Sequence, residues 1–203
     1  MRKIFDDNNP LMRALSVAAD LLFLNLLTLL CSLPVLTLGA ALSALCDSVQ
    51  HLVRGDESYL LKSFFRSFRG NLKKGSLLGL IFLFAAVLVY LDYLAAAAYI
   101  PILRLSAGAV GVIVLGAALY AFPLQARYEN SIGGTLKNAL ALMIAYFPRT
   151  LGMVVCTLAL WLLALRFLNY ALPLLLMFGL SLPFYVCALL YQDIFETMEK
   201  KEE

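Results

Sequence analysis

Leu33-Pro34-Val35-Leu36-Thr37-Leu38-Gly39-Ala40-Ala41-Leu42-Ser43-Ala44-Leu45 joins a long apolar run to a polar, basic segment, and its reading decides how often the chain crosses a bilayer. Pro34 has two readings. Within a membrane helix a proline can merely kink the rod. At the first position of a new helix its missing N–H costs nothing, so it can equally begin a returning helix.

The distribution of charge separates the two. If the chain turns back at Pro34, all the Lys and Arg residues except Arg104 and Arg166 fall on one side of the membrane. If Pro34 only kinks the helix, Arg2, Lys3 and Arg13 move to the other side and the asymmetry weakens. Cytoplasmic loops carry an excess of Lys and Arg. The reversal is therefore expected, with six crossings and with both termini in the cytoplasm.

The surroundings of this stretch agree with a membrane domain. Of 203 residues, 63% are hydrophobic and 14% charged, and the mean hydropathy is +0.87. Soluble domains carry about 25% charged residues. The expected fold is an all-α polytopic membrane helix bundle forming a single domain over residues 1–203. Its spans are placed at 11–33, 34–53, 76–100, 105–126, 150–166 and 171–195, the last containing Pro173 and Pro183 and followed by a charged tail that frays. No small-residue cleavage site follows the first run, so it reads as a retained span. Hydropathy alone scores the second span as marginal.

Two further segments read as amphipathic helices in the interface, at 58–74 and 134–147. In the first, Leu61, Phe64, Phe65, Phe68 and Leu72 share one face, with Ser58 as its cap. Lys62, Arg66, Arg69 and Lys73 line another, placed to bind anionic headgroups. The competing reading packs the aromatic face on the protein. Thr135 is the expected cap of the second segment.

Leu38–Leu45 aligns with Leu115–Phe122 at an offset of 77 residues. The same offset carries Ser58 onto Thr135 and Gly75 onto Gly152. It reads either as a parallel repeat, as found in some transporters, or as chance likeness in a Leu- and Ala-rich chain.

Ionisable groups at membrane depth are costly and hence candidates for function. Asp20 and Ser48 are equidistant from Pro34, so a turn there brings Asp20 level with Asp47, Gln50 and His51, with Asn25 deeper. Asp47 and His51 are spaced i, i+4 and face alike. This polar cluster has two readings, a proton-exchanging or ligand-binding site and a hydrogen-bonded clasp between helices. Trp161 is expected to pack on a neighbouring helix.

Cys31, Cys46, Cys156 and Cys187 form no C-x-x-C pair, and the chain has one histidine, so no metal site and no cofactor is expected. No nucleophile elbow, Walker loop, H-E-x-x-H or dinucleotide fingerprint occurs, and enzymatic activity is not expected. Basic residues that flank apolar runs point to headgroups, not to nucleic acid.

Pro34-x-x-Thr37-x-Gly39-Ala40-Ala41, preceded by Asp20 and Leu24-Asn25 and followed by Phe64, Phe65, Phe68, Asn71 and Lys73, resembles the YesL family of bacterial membrane proteins. The resemblance implies a bacterial plasma membrane and a supporting role in carbohydrate uptake. It marks Asn25, Pro34, Thr37 and Gly39 as motif positions and supplies no catalytic residue. The expected function is that of a non-enzymatic accessory protein to a transporter or sensor. The alternatives are a small-solute transporter or channel using the intramembrane carboxylates, and a membrane-embedded enzyme with His51 as its proton shuttle.

Overall fold

Long apolar stretches in which every backbone group can be satisfied internally form helices in lipid. The computed structural model describes residues 10–55, 60–99, 103–128, 130–166 and 177–202, and among these there is no strand. The helices are α1 (Pro10–Cys31), a 3-10 turn (Val35–Thr37), α2 (Leu38–Arg54), α3 (Leu60–Tyr99), α4 (Leu103–Arg127), α5 (Ile132–Ala145), α6 (Phe147–Arg166) and α7 (Ser181–Glu202). Five stretches are long and apolar enough to cross a membrane: α1, the 3-10 turn with α2, α3, α4 and α6. Exposed Phe84, Leu88, Val112, Ile113, Leu162 and Leu163 form part of an apolar exterior that suits hydrocarbon.

The chain breaks at Pro34, as expected. The Ser32 amide donates to the Thr28 carbonyl at 2.9 Å and the Thr37 amide to the Pro34 carbonyl at 2.8 Å. The Thr37 hydroxyl donates to the carbonyl of Cys31, at 2.6 Å, and faces that of Pro34 at 2.8 Å. Thr37 thus closes a carbonyl left open at the end of α1.

The marginal hydropathy of α2 has a simple explanation. Gly39, Ala40, Ala41, Ser43, Ala44, Leu45, Cys46, Ser48, Val49 and Leu52 are all buried. The helix sits at the centre, against α1, α3, α4 and α7. A helix enclosed by protein needs small residues for close approach more than large ones for lipid.

The expectation of a separate interfacial helix at 58–74 is corrected. Residues 60–99 form one 40-residue helix, about 60 Å long at 1.5 Å per residue. No proline lies between Leu60 and Tyr99 to stop it. The first half of α3 carries α2: Gly39 sits against Gly75 and Gly79, and Asp47 faces Ser67. The second half carries α4, where Phe82 and Phe122 have ring centroids 5.6 Å apart and Val89 lies against Gly111.

Other boundaries shift for local reasons. Ser131, not Thr135, caps α5, its hydroxyl accepting from the Gly134 amide at 3.2 Å. α6 begins at Phe147, so Pro148 falls in its first turn, where it is tolerated. Pro183 likewise lies in the first turn of α7, not inside a span starting at 171. The rest of that expected span, with Pro173, lies outside the described residues, as does Ser58. The charged tail stays helical to Glu202. Trp161 is exposed on the outer surface instead of packing inward. The 77-residue offset holds in part. Gly39 and Gly116 both face the helices that follow, Gly116 lying against Met143 and Thr150, but nothing approaches Gly152 as α2 approaches Gly75.

Candidate functional site

The α2–α3 contact is a seam with a four-residue step on each side. From α2 come Gly39, Ser43, Asp47 and His51; from α3 come Gly79, Gly75, Asn71, Ser67 and Ser63. Spacing by four places each set on one face, and the two sets run antiparallel. At the glycine end the backbones touch, and a Cβ on Gly39 would collide with the Gly75 carbonyl and the Gly79 backbone. Ser43 lies beside Gly75 and its hydroxyl donates to the Gly39 carbonyl at 3.0 Å. The Asn71 amide donates to the Ser67 carbonyl at 3.1 Å. Polarity rises along the seam to Asp47, whose carboxylate is 3.9 Å from His51 Nε2 and faces Ser67, with Arg66 and Arg127 in its field. The Ser63 hydroxyl is buried without a hydrogen-bond partner.

The predicted polar cluster therefore divides. Asp47 and His51 meet, as the i, i+4 spacing requires. Gln50 points elsewhere, into a small cavity between α2, α4 and α7. Asp20 is half-buried on α1. Asn25 leaves the cluster altogether: fully buried, its side-chain oxygen accepts from the amides of Leu180 at 2.9 Å and Ser181 at 3.1 Å. It caps the start of α7 from 155 residues away. A helix N-terminus presents unsatisfied N–H groups, and an Asn oxygen is among their preferred partners.

Lys62, Arg66, Arg69 and Lys73 are all exposed on the first half of α3. The aromatic face splits between the two readings. Phe64 is buried, stacked on Phe68 with centroids 6.4 Å apart, while Leu61, Phe65 and Leu72 remain exposed. Two polar pairs were not singled out from the sequence. Thr135 donates to Gln125 at 3.1 Å between α5 and α4. The Thr150 hydroxyl lies 3.2 Å from that of Tyr120, between α6 and α4. Each pairs residues on different helices, 10 and 30 positions apart, and only the expectation that membrane helices are joined by polar contacts could have flagged them. An apolar groove of about 460 Å³ lies between α2, α3 and α4, lined by Leu38, Gly79, Phe82, Tyr90, Gly108 and Phe122 among others. None of its lining residues is charged. Among the described residues no group of acids, cysteines and histidine could hold a metal ion.

The chain is similar to the "Uncharacterized protein YteU" of Bacillus subtilis (strain 168), with 29% identity over 150 residues, 70% of this chain and 67% of the relative. No solved structure matches it. The stretch that contains the turn at Pro34, all of α2 and most of α3, residues 21–93, matches the family model described as "Protein of unknown function, DUF624", in keeping with the YesL-family resemblance carried by Pro34–Ala41.

Proposed function

We propose that this is a non-enzymatic accessory protein of a bacterial plasma membrane, with its termini in the cytoplasm, that binds a transporter or sensor serving carbohydrate uptake. The observation that supports this reading most is the use made of the interior polar groups. Asn25 caps α7, Gln125 holds Thr135 and Tyr120 meets Thr150, and these contacts join helices. Ser43 and Asn71, at the α2–α3 seam, bond back to carbonyls of their own helices. The large cavity is apolar and suits neither a sugar nor an ion. The surface on offer to a partner is the first half of α3, where exposed Leu61, Phe65 and Leu72 alternate with the four cations. The carbohydrate setting comes from the family resemblance.

Purification from the native membrane in mild detergent, with identification of co-eluting membrane proteins, tests this. Stoichiometric recovery of a sugar transporter or a sensor, lost when Phe65 and Arg69 are replaced by Ala, is the expected result. Sugar flux through the protein reconstituted alone would overturn it. The Asp47–His51 pair favours a second reading, proton-linked transport. That reading requires flux in liposomes that disappears in Asp47→Asn while the protein stays folded.

A further inference from the structure

The sequence marks the first half of α3 as the place where anions meet the protein. The structure holds a second basic feature, away from that stripe. Between α2, α4 and α7 lies a cavity of about 10 Å³ lined by Gln50, Arg54, Arg127, Tyr191, Gln192 and Phe195 with two small apolar neighbours. That is room for about one water, or one oxygen of a larger group. Tyr191 is fully buried and forms part of the cavity wall. Its hydroxyl faces the Gln50 side chain, yet neither that hydroxyl nor the buried Gln50 nitrogen makes a well-formed hydrogen bond.

A buried donor without a well-formed bond is costly, and here two such groups line one small space. Two guanidinium groups share the same walls. Arg127 is held by aromatic faces, its Cζ lying 5.5 Å from the Phe195 ring centroid and 6.0 Å from that of Tyr128. Arg54 is exposed at the end of α2 and can meet whatever part of a ligand remains outside. Asp47, the acid of α2, is turned to His51 and Ser67, with Arg66 and Arg127 both in its field. N–H and O–H donors beside guanidinium groups recognise an oxyanion, and basic pockets between membrane helices on the cytoplasmic side take phosphate headgroups.

We propose that this cavity is a phosphate-oxyanion site: one phosphate oxygen enters between Gln50 and Tyr191, and Arg127 and Arg54 neutralise the charge. The phosphate can belong to an anionic lipid headgroup or to free phosphate, and two measurements on the full-length protein in mild detergent separate them. Native mass spectrometry after incubation with phosphatidylglycerol or with phosphatidylcholine reads the lipid. The shift in thermal midpoint with inorganic phosphate reads the free ion. Both are run on wild type, Arg127→Gln, Tyr191→Phe and, as a control on α5, Lys137→Gln.

The expected result is a phosphatidylglycerol adduct or a phosphate-dependent rise in midpoint. Apparent affinity should fall about tenfold in Arg127→Gln and about threefold in Tyr191→Phe, as for the loss of a charge-assisted and a neutral donor, and stay unchanged in Lys137→Gln. A retained adduct assigns the lipid source, and a midpoint shift without an adduct assigns the free ion. Should Arg127→Gln fail to elute as one folded peak, Gln50→Leu, which removes a donor at nearly constant volume, takes its place. Equal retention of the two lipids with no phosphate effect, or binding untouched in the Arg127, Gln50 and Tyr191 variants, overturns the proposal.

Discussion

Replacing Gly39 by Ala adds a single methyl, and its cost follows from where α2 meets α3. The new carbon would lie 2.6 Å from the Gly79 Cα, against the roughly 3.5–4.0 Å at which carbons pack best. The obstacle is backbone, so no side chain can swing aside, and the helices must part locally by about 1 Å. A gap of that size forfeits about a quarter to a half of the attraction at each contact on the seam. Overpacking of this kind costs about 1–3 kcal/mol. For a chain of this length that lowers the thermal midpoint by about 2–12 °C. Gly70 supplies the control on the same helix pair. Nothing lies within 4 Å of a Cβ there, so Ala should gain about 0.5–1 kcal/mol through helix propensity and raise the midpoint by about 1–4 °C. Thermal unfolding in mild detergent, followed by the fraction still eluting as a folded peak, reads both. The reasoning is refuted if Gly39→Ala melts with wild type, or if Gly70→Ala falls as far as Gly39→Ala does. Adding Gly79→Ala to Gly39→Ala should cost less than the separate effects combined, since the second methyl enters a gap already opened.

Three further outcomes follow from single contacts. Asn25→Ala leaves the buried Ser181 amide and the part-buried Leu180 amide without their acceptor and should cost about 1–3 kcal/mol, seen as faster proteolysis within α7, whereas Asn25→Asp keeps the acceptor and most of the stability. Gln125→Leu strands the Thr135 hydroxyl and should lose about 1–3 kcal/mol, recovered in the double variant with Thr135→Val when thermal midpoints are compared. Gly55 ends α2 at φ 79°, a left-handed conformation that costs other residues about 1–2 kcal/mol, so Gly55→Ala should lower the midpoint although nothing crowds that site.

Much of this architecture is legible in the chain because the membrane imposes one-dimensional rules. Apolar run length locates α1, α3, α4 and α6, and the cation distribution selects the reversal at Pro34. What stays hidden depends on contacts in space. The amphipathic pattern at 58–74 and the apolar pattern after it abut without a proline, and periodicity reports which faces are apolar, not whether an axis bends. The enclosure of α2 is hidden for the same reason: hydropathy scores Ala40, Ser43 and Ser48 as weak lipid-facing residues, while their small size is what lets four helices close around them. For the candidate site, the i, i+4 spacing foretells the meeting of Asp47 with His51. Asn25 looked like a member of that cluster because depth along a hairpin says nothing of azimuth, and its partners are backbone amides that carry no sequence signal. Ser67 and Asn71, which complete the seam, sit among the cations of an amphipathic helix and read there as ordinary polar surface.

The central claim is that α3 is one unbroken helix whose first half carries α2 and whose second half carries α4. Spin labels at Leu61→Cys and Leu91→Cys, both exposed positions, in a variant with the four native cysteines replaced, measure it directly by pulsed electron resonance. A continuous helix places the two backbones about 45 Å apart at 1.5 Å per residue. A separate interfacial helix lying across the start of a span from residue 76 would bring them to about 32 Å, and a distribution centred there would contradict the account.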